Sequence, residues 1–268
     1  MLHSTKSISF FRSFWVMVLV FLLMACSAPS NSSGTSDTGG ASPSGSPASE
    51  STQEGNSETT GVPGSESTSP LAQLPQLQGE ATVVLQVNGK TITLAINGKD
   101  APITAGNFID LVDKKVYDGT AFHRVVRTPS PFVVQGGDPQ SKDPNFPVQR
   151  LGTGSYIDPE TKQARYLPLE ILPEGAEQAV YSKTLKSAGE NKPPKLRHTR
   201  GAVAMARSQL PDSASAQFYF ALADVDFLDG NYAVFGYVTE GMDVVDQIQQ
   251  GDRIESAKVT AGIENLKR

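Results

Sequence analysis

The sequence predicts a mainly β fold for residues 80–268, a barrel or a sandwich of short strands accompanied by two helices. Three observations support this prediction. Short stretches of alternating apolar and polar residues recur along this part of the chain. Turn-forming residues, including two Asn-Gly pairs, separate these stretches. Only two stretches have the three-to-four-residue apolar spacing of an amphipathic helix.

The first 25 residues have the composition of an export signal. Lys6 and Arg12 precede an apolar run over residues 14–25, which is shorter than the roughly 20 residues that span a bilayer. The run ends in Leu-Met-Ala-Cys, which resembles a bacterial lipobox, so Cys26 is predicted to carry a lipid and to become the mature N-terminus. Cys26 is the only cysteine, which excludes intramolecular disulfides. An ordinary signal peptide or a marginal membrane anchor is the alternative.

Residues 26–79 are predicted to form a disordered tether. Between residues 27 and 70 the only sizeable apolar side chain is that of Val62, so this segment cannot bury enough surface to offset its chain entropy. A flexible coil of ~50 residues has a mean reach of roughly 40 Å. Such a tether would hold the folded domain clear of a lipid surface.

The folded part is close to neutral. Residues 1–79 contain two basic and five acidic residues, which leaves −2 of the net charge of −5 for the remainder. This balance argues against nucleic acid as the main partner, because counterion release requires clustered cations. The basic stretch 192–200 contains Pro193 and Pro194, and a solvated loop is favoured there over an RNA site.

The predicted elements begin with a hairpin and end with a strand. Residues 81–96 form the hairpin, in which Asn88-Gly89 suits a tight type I′ turn. The helices are expected at 102–116 and 242–250, with Gly251 as the C′ residue of the second. Further strands are expected at 120–126, 132–136, 202–206, 217–222, 232–238 and 257–263, with short candidates at 167–172 and 180–185 inside a loop-rich segment, residues 139–200.

Neither a metal site nor a cofactor is expected. Outside the signal the histidines are His123 and His198, and neither has a second ligand at metal-binding spacing, so structural roles are favoured. Residues 152–154, Gly-Thr-Gly, lack the strand and the third glycine of a nucleotide site. A hydrolytic triad is unsupported, because no G-x-S-x-G motif is present and Ser213 and Ser215 lie in a polar turn.

Arg124 differs from the other polar residues because it lies within an alternating strand. Its neighbours on that strand include Phe122 and Val126. An arginine there is able to extend to solvent or pair with an acid, or to serve a binding surface. The residues around it decide between these interpretations.

Four groups of motifs, spread from about residue 80 to the C-terminus, resemble those of the cyclophilin family of peptidyl-prolyl cis-trans isomerases. They are F-H-R-V-V with P-F-V-V-Q-G-G-D, R-G-A-V-A-M-A-R, S-A-Q-F-Y-F, and F-L-D-G-N-Y-A-V-F-G. The resemblance implies a closed eight-stranded antiparallel barrel capped by two helices.

The resemblance also implies the site residues. Arg124 matches the catalytic arginine of the family. Ala206 and Arg207 match the groove for the residue before proline. The full substrate-binding set comprises His123, Phe132, Val133, Gln135, Ala206, Arg207, Gln217, Tyr219, Phe227, Leu228 and Tyr232. The reaction implied requires no acid, base, nucleophile, metal or cofactor.

Three features differ from the family pattern. Seven residues separate Arg124 from Phe132 where four are usual, and both flanking strands are expected to stay in register. Phe227 replaces a tryptophan that is important for binding cyclosporin, so weak sensitivity to this drug is expected. The enlarged segment 139–200 is similar to that of cyanobacterial and chloroplast cyclophilins. It is interpreted as a surface excursion packed on the barrel, with a partner-binding role as the alternative.

The expected function is a monomeric peptidyl-prolyl cis-trans isomerase that acts on proline-containing polypeptides in the cell envelope. It would be exported and held by its lipid on the periplasmic or outer-facing side of a membrane. The main alternative is a cyclophilin-like domain that binds peptides as a holdase or scaffold with negligible turnover. A lipoprotein hydrolase is the third candidate, and the lack of a nucleophile–base pair counts against it.

Overall fold

The structure, a computed structural model, describes residues 70–268. It confirms a mainly β fold with two helices, α1 at Pro102–Asp113 and α2 at Met242–Gln247. The strands are β1 Gln76–Leu77, β2 Glu80–Val87, β3 Lys90–Asn97, β4 Arg124–Val126, β5 Val133–Gly136, β6 Glu170–Ile171, β7 Val180–Tyr181, β8 Ala202–Met205, β9 Phe218–Ala221, β10 Val234–Glu240, β11 Ile254–Ala261 and β12 Leu266–Lys267. Short 3-10 helices lie at Pro70–Gln73, Pro139–Lys142, Val148–Arg150, Pro211–Ser213, Asp226–Leu228 and Ile263–Asn265.

Eight of these strands form one antiparallel sheet in the order β11-β2-β3-β10-β8-β9-β5-β4. The sheet is an open half-barrel, and the prediction of a closed eight-stranded barrel is not confirmed. Strand β4 has three residues and does not extend far enough to pair with β11. The segments beside these edges do meet, because the N–H of Phe122 donates to the carbonyl of Asp252 over 2.8 Å. The other strands form two small sheets, β1 with β12 and β6 with β7.

The hairpin predicted at residues 81–96 is confirmed by β2 and β3. Alternate residues of both strands are buried, including Val83 and Leu85 in β2 and Ile92 in β3. Asn88 and Gly89 have positive φ angles of 52° and 69°, as a type I′ turn requires. The local sequence therefore sets both the turn and the side of the strands that faces the core.

Helix α1 lies in the core rather than on the surface. Ten of its residues are buried. The ring centroid of Phe108 lies 4.9 Å from that of Phe235 in β10 and 5.3 Å from that of Phe218 in β9. The helix therefore packs against the inner face of the strands whose outer face carries the predicted site.

Both helices are shorter than predicted. Helix α1 ends at Asp113, because Lys115 takes a left-handed φ of 54°. Helix α2 ends at Gln247, and Ile248 is already non-helical with φ −57° and ψ 129°. Gly251 therefore lies in a separate turn and is not the C′ residue of the helix. The buried Ile248 continues the apolar spacing past the helix, which explains the error.

The folded domain begins earlier than predicted. Strand β1 pairs with β12 near the C-terminus, and Leu77 is fully buried. A Cβ atom at Gly98 would overlap Leu77, and one at Gly106 would overlap the backbone of Pro75 and Gln76. Residues 70–79 therefore belong to the domain and not to the tether. The remaining predicted tether, the signal peptide and Cys26 lie outside the described residues.

Segment 139–200 packs on the N-terminus of helix α1. Glu170 in β6 is buried and accepts hydrogen bonds from the backbone N–H groups of Ile103 over 3.2 Å and Thr104 over 2.8 Å. Ala101, at the N-cap position, has no side chain that is able to make these bonds. The segment thus caps a helix that its own sequence leaves uncapped.

Asp110 of helix α1 is the centre of a buried ion-pair cluster. Its side chain is 0% exposed and accepts hydrogen bonds from Lys114 over 2.8 Å, Arg165 over 2.8 Å and Arg268 over 2.7 Å. Burial alone would raise the pKa of Asp110. The hydrogen bonds from the three cations outweigh burial and hold this pKa below its ordinary value.

The stability of the fold should therefore decrease in acid through Asp110. An ionised carboxylate with a lowered folded-state pKa stabilises the fold above the unfolded-state pKa of about 4, and this contribution is lost as the pH falls through the folded-state pKa. Asp110→Asn is expected to flatten the acid-side decrease in the free energy of unfolding, measured with denaturant at several pH values. Glu174→Gln, which removes a carboxylate that is 65% exposed and lies outside this cluster, is the control for the loss of one negative charge. A wild-type slope in Asp110→Asn would contradict this role.

Candidate active site

The predicted site residues, with the exception of His123, come together on the outer face of the sheet and in the loops beside it. Strands β4, β5, β9 and β8 are neighbours there, so residues far apart in the sequence become adjacent. Their positions are Arg124 in β4, Phe132 before β5, Val133 and Gln135 in β5, Ala206 and Arg207 after β8, Gln217 before β9, Tyr219 in β9, Phe227 and Leu228 in the 3-10 helix Asp226–Leu228, and Tyr232 before β10.

A row of polar side chains crosses this face. Arg124 lies opposite Gln135 in the β4–β5 register, and its Nη1 donates to Gln135 Oε1 over 3.3 Å. Gln135 Nε2 donates to Gln217 Oε1 over 3.2 Å, and Gln217 Nε2 donates to the carbonyl of Gly154 over 2.8 Å. The row orients the guanidinium of Arg124 while one of its five N–H donors is used. The rest of the guanidinium is exposed and is able to donate hydrogen bonds to a ligand on this face.

Aromatic rings form a pocket next to Arg124. The guanidinium carbon lies 5.5 Å from the ring centroid of Phe132, and the rings of Phe132 and Phe227 stack at 5.7 Å with 21° between their planes. Tyr219 packs edge-on against Tyr232 at 6.2 Å. Phe227 is 69% exposed and lies at the edge of this group of rings. We name Phe132, Val133, Tyr219, Phe227, Leu228 and Tyr232 the aromatic pocket.

Arg207 separates the two grooves of the site. Its Nε and Nη2 donate to the carbonyl of Asn231 over 2.9 and 2.7 Å, and its guanidinium lies 4.6 Å from the ring centroid of Tyr232. On one side is a groove of about 480 Å³ lined by Phe227, Leu228 and Tyr232. On the other is a groove of about 580 Å³ lined by Gln135, Ala206, Gln217, residues 152–155, Tyr166 and residues of the 208–215 loop. Arg207 is thus a wall shared by both grooves.

Asp138 holds the 152–154 loop that lines the larger groove, and it was missed in the sequence. Its buried carboxylate accepts hydrogen bonds from the backbone N–H groups of Gly152 over 2.6 Å and Gly154 over 3.2 Å. A Cβ atom at Gly154 would overlap this carboxylate. The Gly-Thr-Gly stretch is therefore a loop of the site. The aspartate that ends the Q-G-G-D motif was the available signal.

His123 does not join the aromatic pocket. Its ring packs beside Gly152, and both ring nitrogens are buried without a hydrogen-bond partner among residues 70–268. Burial lowers the pKa of His123, which favours the neutral ring. Its membership of the substrate-binding set therefore stays a prediction.

A second histidine, His198, lies directly behind the aromatic pocket. Its Nδ1 is 2.7 Å from Asp229 Oδ1, and its Nε2 is 2.9 Å from the hydroxyl of Tyr219. Burial lowers the pKa of His198, although the neighbouring carboxylate acts in the opposite direction. Burial also raises the pKa of Tyr219, so its hydroxyl keeps its proton. The sequence favours a structural role for His198 but does not indicate these partners.

The long loop between Arg124 and Phe132 leaves the flanking strands in register, as expected. Val126 pairs with Val133 across β4 and β5, and the N–H of Phe132 donates to the carbonyl of Val126 over 3.0 Å. Arg127 anchors the loop by donating to the carbonyl of Val245 in α2 over 3.1 Å. The extra residues therefore change the approach to the pocket without changing the pairing beneath it.

Cations of the basic stretch 192–200 pair with neighbouring acids. Lys195 contacts Asp100 over 2.7 Å, and Arg200 contacts Asp246 over 2.6 Å.

Within residues 70–268, no cluster of three His, Cys, Asp or Glu side chains is arranged to hold a metal ion. In the same range, no helix combines the length and the apolar character that crossing a bilayer demands.

Known proteins share both this sequence pattern and this fold. The family model described as "Cyclophilin type peptidyl-prolyl cis-trans isomerase/CLD" matches residues 82–267. A crystal structure of a cyclophilin type peptidyl-prolyl cis-trans isomerase from Cryptosporidium parvum, determined in the presence of the dipeptide Ala-Pro, superposes with a TM-score of 0.50 at 21% identity, covering 67% of this chain and 99% of that chain. The antiparallel half-barrel with two helices is thus the cyclophilin fold. The chain belongs to the cyclophilin family.

Related proteins are found in bacteria and plants. A putative thylakoid lumen peptidyl-prolyl cis-trans isomerase of Synechocystis is 42% identical over 205 residues, covering 73% of this chain and 51% of that protein. The chloroplastic isomerase CYP38 of Arabidopsis thaliana is 36% identical and covers 72% of this chain and 45% of that protein. A probable isomerase of Brucella abortus is 35% identical, covering 67% of this chain and 77% of that protein. The chain spans about half the length of the first two relatives.

Proposed function

We propose that this protein is a peptidyl-prolyl cis-trans isomerase in which Arg124 stabilises the twisted prolyl amide. The observation that carries the proposal is the position of the Arg124 guanidinium, 5.5 Å from the ring of Phe132 and bonded to Gln135. An arginine, an aromatic pocket and a row of amide side chains would then all face one bound peptide. The matching relatives are themselves named peptidyl-prolyl cis-trans isomerases.

The chemistry requires stabilisation of a rotation rather than a bond cleavage. Amide resonance sets a barrier of roughly 18–20 kcal/mol to rotation about the X–Pro bond. In the twisted transition state the proline nitrogen becomes pyramidal and regains a lone pair. The guanidinium of Arg124 donates a hydrogen bond to this lone pair, which the planar amide does not offer. The interaction is therefore specific to the transition state and lowers the barrier.

The remaining residues hold the substrate while its bond rotates. Phe132, Tyr219 and Leu228 enclose the proline ring in the aromatic pocket. Gln135 and Gln217 bind the peptide backbone beside it. One side of the X–Pro bond is thereby held, so the other side rotates against a fixed anchor. The groove walled by Ala206 and Arg207 receives the residue before proline.

The test of the proposal is acceleration of X–Pro isomerisation by the purified protein, compared with binding of the same peptide. A protein that binds the peptide and leaves its isomerisation rate unchanged would favour the alternative, a non-catalytic peptide-binding chaperone or scaffold. The longer loop before Phe132 and the phenylalanine at position 227 are the features that favour this alternative. The position of Arg124 favours the enzyme.

The proposed setting is the cell envelope. The signal-like N-terminus and the lipobox-like motif support export with lipid attachment at Cys26, followed by a tether and a monomeric domain. The thylakoid lumen named for the Synechocystis relative is in keeping with an exported protein. A protein that partitions into detergent equally with and without a Cys26→Ser substitution would reject the lipid anchor.

We also propose that contacts between residues 119–122 and 251–254, including the 2.9 Å bond from Ile254 N–H to the carbonyl of Thr120, complete the barrel.

Cyclosporin is expected to inhibit the isomerase weakly, and Phe227→Trp to increase the inhibition. The indole of tryptophan adds an N–H donor and a larger ring at the exposed rim, which a phenylalanine lacks. Phe227 is sufficiently exposed for the larger ring to fit. Inhibition constants of the wild type and of Phe227→Trp, measured in the isomerisation assay, check this expectation. Equal constants for the two proteins would contradict it.

A further inference from the structure

The side chains of Tyr219, His198 and Asp229 connect the wall of the aromatic pocket to its rim. The rim is the 3-10 helix Asp226–Leu228. Tyr219 belongs to the wall, and Asp229 directly follows the 3-10 helix that carries Phe227 and Leu228. His198 stands between them with a side chain that is 0% exposed. The wall and the rim belong to different elements, and His198 joins them through its two ring nitrogens.

The partners of His198 determine which nitrogen carries the hydrogen. An ionised carboxylate only accepts, so Nδ1 donates to Asp229 and Nε2 is left to accept from the hydroxyl of Tyr219. The backbone N–H of His198 donates to the same oxygen of Asp229 over 2.9 Å. The imidazole is thus held at two points and orients the tyrosine hydroxyl. A phenylalanine at position 219 would lack this anchor.

We propose that His198 is a positioning residue that keeps the wall and the rim of the aromatic pocket at one separation. It does so through the hydroxyl of Tyr219 on one side and the carboxylate of Asp229 on the other. The inference rests on the proposed function in that the pocket is taken to hold the proline ring. No bond is made or broken, and His198 acts through its neighbours.

Loss of this positioning should weaken substrate binding and leave the rotation step nearly unchanged. The network contacts the pocket that holds the ring, whereas the group that stabilises the transition state is Arg124 in β4. Interactions shared by the ground state and the transition state raise KM when they are removed and leave kcat unaltered. A purely structural role would instead lower kcat through a smaller folded fraction, with KM unchanged.

The experiment measures the Kd of a prolyl peptide by NMR titration, together with KM and kcat, for the full-length protein and its variants. Tyr219→Phe removes only the hydroxyl and is expected to raise Kd and KM about fivefold, and His198→Leu about tenfold, with kcat within about twofold of the wild type. The double variant should bind no more weakly than His198→Leu alone, because the effect passes through the hydroxyl. Tyr237→Phe is the matched control, since the Tyr237 hydroxyl bonds to the backbone of Arg197. Its Kd should not change.

Wild-type affinity in Tyr219→Phe, or additive losses in the double variant, would overturn the role of His198. If His198→Leu does not fold, Tyr219→Phe decides alone. A wild type that binds prolyl peptides without accelerating their isomerisation would reject the isomerase proposal, and the Kd series would still decide on His198. A wild type that binds no prolyl peptide would reject both.

Discussion

Arg124→Ala is expected to lower kcat/KM for a prolyl peptide on the order of a hundredfold, which corresponds to about 3 kcal/mol of transition-state stabilisation. The substitution removes the hydrogen-bond donor that we propose for the proline nitrogen in the twisted state. The aromatic pocket should remain, because Phe132 also stacks on Phe227. The peptide Kd should therefore change far less than kcat. Coupled isomerisation assays and NMR titration of the same peptide measure the two quantities.

The chain offers a matched control for this substitution in Arg127. It lies near Arg124, but its guanidinium donates to the carbonyl of Val245 in α2 over 3.1 Å. Arg127→Ala should keep kcat/KM within about threefold of the wild type, since no transition-state contact is removed. Arg124→Lys is expected to recover part of the activity at most, because an ammonium lacks the rigid planar fork of a guanidinium. An Arg124→Ala variant with at least a third of the wild-type activity would reject the proposed role.

Glu170→Ala is expected to lower the free energy of unfolding by about 3–5 kcal/mol, because it leaves several buried donors without an acceptor. These donors are the N–H groups of Ile103 and Thr104, the hydroxyl of Thr104 at 2.7 Å and the hydroxyl of Tyr181 at 3.1 Å. Helix α1 begins with Pro102 and has no side-chain cap of its own, so no other group replaces the carboxylate. Denaturant unfolding at constant pH measures the loss.

The protonation state of Glu170 sets the size of this loss at different pH values. Burial raises the pKa of Glu170, against the effect of its hydrogen bonds. Because the folded-state pKa is raised, the contribution of Glu170 to the free energy of unfolding is largest in acid. This contribution decreases as the pH rises through that pKa. The difference between wild type and Glu170→Ala should therefore be greater near pH 4 than near pH 8.

Glu174→Ala is the control for the capping role of Glu170. Glu174 lies in the same segment, is 65% exposed, and contacts Arg197 over 3.5 Å. Removing an exposed ion pair of this kind should cost no more than about 1 kcal/mol. Equal effects of the two substitutions would show that Glu170 has no special role at the helix N-terminus.

The fold was predictable wherever one stretch of sequence carried a complete local signal. Asn88-Gly89 and the alternating residues of β2 and β3 define a hairpin without help from the rest of the chain. The same kind of signal misplaced the end of α2, because Ile248 keeps the helical spacing and is buried although its backbone is extended. Residues 70–79 were missed for the opposite reason. Leu77 is an isolated apolar residue, and its burial depends on a strand pairing with β12 at the other end of the chain.

The site was predictable in its members but not in their contacts. The motifs placed Arg124, Phe132, Gln135 and Tyr219 in one pocket by resemblance, and the structure brings them together. The partners of these side chains could not be read from the motifs. The hydroxyl of Tyr219 is oriented by His198 and Asp229, which lie 21 and 10 residues away along the chain. These hydrogen bonds form only when β9 packs beside the 3-10 helix Asp226–Leu228.

Residue order alone decided the strand alternation and the tight turns, because these depend on backbone preferences and spacings within a few neighbouring residues. It also indicated the family, through motifs spread from about residue 80 to the C-terminus. The tertiary structure decided which groups satisfy one another over long distances. Glu170 caps helix α1 from 67 residues away, and Asp138 shapes the 152–154 loop beside Gln217. Such pairs form because buried polar groups must find partners, and only the packed chain shows which partner is within reach.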